Sequence, residues 1–198
     1  MIYLIAAIFV VAIVIIVIKK RHAAVPVDEP PEKRAGRQGE KIATEIIKQY
    51  LNEEDRLLTN IVVTYKGHMT ELDNVVINPR GVYIIEVKNL SGELVGKEND
   101  KEWLKVKTTS AGNTYEKTVK NPIAQVKRQI YILANFLEAC GINVWIEGYI
   151  LFVRGKSPVT STFVLDDASE IDDVIHPEKE TVLKKSVMHK IIRLLQNH

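Results

Sequence analysis

Residues 70–89 read TELDNVVINPRGVYIIEVKN, two strand-like runs around Asn78-Pro79-Arg80-Gly81. Asn, Pro and Gly stand where a type I turn favours them, so the stretch reads as a β-hairpin. Alternate residues of a strand share a face, which puts Glu86 and Lys88 on one surface while Ile85 and Val87 point into the opposite layer. Asp73 lies on the neighbouring strand. Antiparallel pairing across so short a turn brings its carboxylate towards Glu86 if the register is right.

Two carboxylates beside a lysine suit metal-dependent phosphodiester hydrolysis. Carboxylate oxygens hold Mg²⁺, with Mn²⁺ as the alternative, and that cation keeps several waters and binds substrate phosphate. A neighbouring lysine can orient or help deprotonate the attacking water and offset developing charge on the phosphate. The competing reading is an ordinary Glu-Lys pair on a solvated strand face. Against it, the pair follows Val82-Tyr83-Ile84-Ile85, an apolar run typical of a central buried strand.

Gly36-Arg37-Gln38-Gly39-Glu40, Glu71-Leu72-Asp73-Asn74-Val75-Val76-Ile77, Ile85-Glu86-Val87-Lys88-Asn89 and Asn121-Pro122-Ile123-Ala124-Gln125 resemble, in order, the four landmarks of the nuclease-related domain (NERD) family. That family is similar to the PD-(D/E)xK superfamily of restriction-endonuclease-like nucleases, although Leu72 stands where the superfamily often has proline. The resemblance implies an α-β-β-β-α-β core with a mixed sheet flanked by helices. It also implies catalytic roles for Asp73, Glu86 and Lys88, with Asp73 and Glu86 as the metal ligands. Glu40 is placed over the site, to bind a second metal or position Lys88, and Gln125 beside the metal.

Upstream of the core, Met1 to Ile18 is apolar and uncharged and is followed by Lys19-Lys20-Arg21. As a helix it reaches ~27 Å, close to a ~30 Å hydrocarbon core. The charge behind the apolar run argues for a retained signal anchor, N-terminus outside and the rest in the cytoplasm, rather than a cleaved signal peptide. Residues 19–35 are basic and rich in proline and read as a linker, a short tether that also suits anionic headgroups. Glu40 would then fall in the first turn of a helix from Arg37 to Leu51, where the helix dipole alone can explain an acid.

Leu57 to Tyr65 reads as the first strand, Lys66-Gly67-His68 as a bend with a solvated histidine, Trp103 to Lys107 as an amphipathic strand, and Thr108 to Thr118 as a polar loop. Trp103 is expected to pack rather than stack on a base. Lys97, Lys101, Lys105, Lys107, Lys117 and Lys120 make that segment basic enough to meet a phosphate backbone. Asn121 and Pro122 open a helix that Cys140-Gly141 closes, with Gln125, Arg128 and Gln129 on one face. Asn143 to Val153 reads as a core strand, Thr162 to Leu165 as one strand more, and Val182 to Leu195 as a closing amphipathic helix. The acids from Asp166 to Asp173 lack EF-hand spacing, and the lone Cys140 excludes a disulfide framework.

The chain thus divides into an anchor (1–18), a linker (19–35), a nuclease-like domain (36–154) and a C-terminal extension (155–198). A net charge of +2 does not by itself mark a nucleic-acid binder, so function rests on the site. The expectation is a single-pass membrane protein whose cytoplasmic domain hydrolyses DNA or RNA with Mg²⁺. The alternative is a catalytically silent module of the same fold, tethered for a protein or nucleic-acid partner.

Overall fold

A computed structural model of the protein describes residues 30–178 and 183–197. The chain divides into two units, Met1–Arg34 and Ala35–His198. The anchor expected at Met1–Ile18 and residues 19–29 of the linker lie outside the described residues. Among the described residues no helix is long and apolar enough to cross a membrane.

The elements are α1 (Pro31–Lys48), β1 (Arg56–Tyr65), β2 (His68–Asn78), β3 (Gly81–Asn89), β4 (Glu93–Val95), β5 (Glu102–Thr108), β6 (Thr114–Lys120), α2 (Pro122–Ala139), β7 (Ile146–Arg154), β8 (Val164–Leu165), α3 (Glu170–Ile175) and α4 (Lys185–Gln196). Strands β1-β2-β3-β7-β8 form one mixed sheet and β4-β5-β6 a second. β1, β2 and β3 pair antiparallel, whereas β7 runs parallel to β3 and β8 parallel to β7. A parallel neighbour needs a long crossover, and that crossover carries the small sheet and α2.

β3 is central because both of its faces are apolar. Val82 and Ile84 pack with Leu133, Leu137 and Ile191 of α2 and α4, while Tyr83, Ile85 and Val87 pack with Ala43, Ile47, Ile171 and Ile175 of α1 and α3. The expected hairpin is present, with Asn78 opposite Gly81. Asn78 Oδ1 closes the turn by accepting the N–H groups of Arg80 and Gly81 at 2.9 and 3.2 Å. The β1–β2 turn has positive φ at Lys66 (46°) and Gly67 (79°), the pattern of a tight hairpin turn that follows strand twist. His68 beside it is exposed.

Three stretches depart from expectation: α1 at both ends, Thr108–Thr118, and the start of β7. α1 begins at Pro31 instead of Arg37 and ends at Lys48 instead of Leu51. Pro31 takes the first helical position, where its missing N–H costs nothing, and Glu32 favours the first turn. Residues 31–34 are all exposed, so apolar spacing has nothing to show there. The polar loop expected over Thr108–Thr118 is mostly strand: β5 and β6 pair as a hairpin with Thr108 opposite Thr114. β7 starts at Ile146 rather than Asn143.

Trp103 is 1% exposed and donates Nε1–H to the Lys97 carbonyl at 2.9 Å. Its ring fills the space over Gly96, where a Cβ would come within 2.2 Å. It is a packing anchor and offers no face to a base.

Candidate active site

Asp73, Glu86 and Lys88 meet where β2 and β3 part. The ladder between these strands ends at Asn74 opposite Ile85, and the same register continued sets Asp73 across from Glu86. The strand backbone is irregular at this level. Leu72 and Val75 lie in one core cluster three residues apart, as do their β1 partners Ile61 and Leu58, and Asn60 between the latter has φ 54°. That break frees Asp73 from plain alternation. Its Oδ2 accepts the Val87 N–H at 2.8 Å, a carboxylate taking over where the backbone ladder stops.

Glu86 is 2% exposed and fully engaged. Oε1 accepts from Lys88 Nζ and from Gln125 Nε2, the latter at 2.5 Å, and Oε2 accepts from Gln129 Nε2 at 2.6 Å. Lys88 Nζ also donates to Gln125 Oε1 at 3.0 Å. The two glutamines are one turn apart on α2, so they meet Glu86 from the same face. Gly148 allows this docking: a Cβ there would lie 2.6 Å from Val126 of α2.

Glu40 reaches the site because α1 crosses β3 closely. A Cβ on Gly39 would lie 2.6 Å from that of Asn89, and Asn89 donates its amide to the Ala35 carbonyl at 2.6 Å. Ala43 is fully buried at the same contact, whereas Gly36 faces open space. With α1 starting at Pro31, Glu40 is no longer in a first turn. The helix dipole, which acts within the first turn, therefore does not explain this acid.

Electrostatics tie the group together. Burial, then repulsion from Glu86, push the Asp73 carboxyl up to about 7 against the pull of the Val87 N–H and Lys88. Glu40 is raised as well, by burial first and then by Glu71 and Glu86. Three carboxylates, Asp73, Glu86 and Glu40, interact with the Lys88 ammonium, while Glu71 and Arg37 act on Glu40 with opposite signs.

Asp73 and Glu86 are the residues that could hold a divalent cation, once it displaces part of the donor network on Glu86. The two carboxylates repel each other, and Gln129 Oε1 adds a buried oxygen with no hydrogen-bond partner among the described residues. Among those residues no cluster of three or more His, Cys, Asp or Glu converges as a metal cage.

Every site residue singled out from the sequence thus lies in this one neighbourhood. Two neighbours were not singled out, Gln129 and Glu71. Gln129 shares the sequence-read polar face of α2 with Gln125 and Arg128, yet it is fully buried. Glu71 is exposed, with no pattern to distinguish it.

A mixed sheet flanked by helices, with an acid on one strand facing an acid-x-lysine on the next, defines a nuclease-like α/β domain. Comparison with known families agrees: the nuclease-related domain matches residues 35–153, and the chain belongs to that family. It is also similar to an uncharacterized protein of Bacillus anthracis, 25% identical over 173 residues that cover 81% of each chain. No solved structure matches.

Proposed function

We propose that the domain is a metal-dependent nuclease, built on a restriction-endonuclease-like core and held at the membrane by the N-terminal segment. The observation that carries the reading is the convergence of Asp73, Glu86 and Lys88 at the open end of β2 and β3, braced by Gln125. Asp73 and Glu86 would hold Mg²⁺ or Mn²⁺, which when bound supplies Lewis-acid polarisation of a phosphodiester and an acidified water. As the ammonium, Lys88 would orient the attacking water and offset the charge growing on phosphate; as the neutral amine it would instead take that water's proton. Gln125 holds Lys88 against Glu86, Gln129 fixes the other Glu86 oxygen, and Glu40 faces the site from α1.

A second reading, the nuclease-fold binding module without turnover, is favoured by one feature. Both Glu86 oxygens already accept side-chain donors, so a cation must displace part of that network. Incubating the protein with single- and double-stranded DNA and RNA, in Mg²⁺, Mn²⁺ or EDTA, separates the two. Cleavage in divalent cation and none in EDTA is the expected result; binding without cleavage under every metal supports the module.

Lys19-Lys20-Arg21 behind the apolar Met1–Ile18 supports an N-out, C-in topology. A reporter fused after His198 is expected to resist protease added to intact cells. Its digestion would reverse the orientation.

A further inference from the structure

The small sheet β4-β5-β6 plays no part in the chemistry proposed above, yet its root walls the cleft that runs to Asp73. That cleft, about 810 Å³, is lined by Lys101 from the turn before β5, Glu102 and Lys120 from the sheet, Arg128 from α2, and Glu71 and Asp73 from β2. The side chains of Lys101 and Lys120 have no hydrogen-bond or ion-pair partner among the described residues, although Glu102 sits directly opposite Lys120 in the ladder. Arg128 Nη2 donates to the Met69 carbonyl at 3.2 Å, which steadies the guanidinium at the cleft.

Asn121 locks these cations to the site. It is 1% exposed, and its Oδ1 caps α2 by accepting the Ile123 N–H at 2.8 Å. Its Nδ2 donates to the carbonyls of Glu98 and Asp100 at 2.8 and 2.7 Å, and its backbone N–H to that of Lys101 at 3.1 Å. The turn bearing Lys101 is therefore tied by hydrogen bonds to the start of the helix bearing Gln125, Arg128 and Gln129.

We infer that Lys101, Lys120 and Arg128 form a phosphate-binding wall for a nucleic-acid strand, guiding its backbone to the bond cut at Asp73 and Glu86. The inference rests on the nuclease reading for the strand's destination. Cations from two elements suit a polymer of phosphates better than a single one, and a flat bilayer surface cannot follow them into a cleft.

The test measures binding of the full chain in mild detergent to short fluorescein-labelled single-stranded DNA and RNA of the same sequence, in EDTA and across a salt series. The cleft variant combines Lys101→Gln, Lys120→Gln and Arg128→Gln; a control combines Lys185→Gln, Lys190→Gln and Arg193→Gln on α4. Single strands lose about 0.7 in the slope of log K against log salt per phosphate contact, so the cleft variant is expected to lose about 2 and the control none. Whichever polymer loses more identifies the strand. Unchanged binding by the cleft variant, equal loss by the control, or a wild-type chain that binds neither polymer at low salt overturns the wall. So does loss of phosphatidylserine-vesicle binding in the cleft variant with oligonucleotide binding intact. Because no divalent cation is present, failure of the nuclease reading shows separately, as binding without cleavage when Mg²⁺ is restored.

Discussion

Lys88→Ala is expected to lower phosphodiester cleavage by on the order of 10²–10⁴-fold, the range for losing a positioned proton-transfer group. The fold should persist. Glu86 keeps the amide donors of Gln125 and Gln129, so the stability cost stays below the ~3–5 kcal/mol of stripping a buried ion pair of one partner. Lys88→Arg sharpens the result: arginine keeps the charge but is very hard to deprotonate, and its planar fork does not match the bifurcated contact of Nζ with Glu86 and Gln125. Both variants should lose cleavage and retain a cooperative melt. If wild-type protein cleaves and both variants cleave equally well, Lys88 has no role in the reaction. If alanine abolishes cleavage while arginine restores it, the lysine acts as charge alone and proton transfer lies elsewhere.

The parts of the site legible in the sequence are those set by short-range chemistry. Asn78-Pro79-Arg80-Gly81 encodes its own turn, and the turn fixes which residues of β2 and β3 face each other. Asn121-Pro122 encodes a helix start, and Gly141, at φ 71°, its end. What escaped notice lacked a buried face to leave a pattern. Only Val119 of β6 is even half-buried, so the strand exists through its ladder to β5 and reads as a polar loop. The exposed first turns of α1 hid its start in the same way, and with it the position of Glu40. Gln129 reads from the sequence as part of a polar face with Gln125 and Arg128, and its contact with Glu86 depends on α2 docking over Gly148, a tertiary fact that residue spacing along one helix does not contain.

The second large effect concerns Asp73 in the absence of metal. Its folded-state carboxyl sits at about 7 against an ordinary 3.8, so between these values the native protein holds a proton that the unfolded chain has released. Stability must then fall as pH rises through that window, and the full penalty is present above about pH 7. Three pKa units correspond to at most about 4 kcal/mol. Asp73→Asn removes the charge and keeps an oxygen able to accept the Val87 N–H, so in EDTA it is expected to melt several degrees above wild type at pH 8 and to converge with it near pH 4. Divalent cation should act in the opposite sense on the pair. Mg²⁺ at a hundredfold excess over its Kd stabilises the wild type by ~2.7 kcal/mol through binding to the native state alone, and leaves the variant, with one carboxylate fewer, nearly unchanged. A metal-free variant that melts below wild type at pH 8 would mean that the Asp73 charge is compensated by Lys88 and the Val87 N–H. A wild type indifferent to millimolar Mg²⁺ and Mn²⁺ would remove Asp73 and Glu86 as a strong cation site, and with it the metal-dependent half of the proposed reaction.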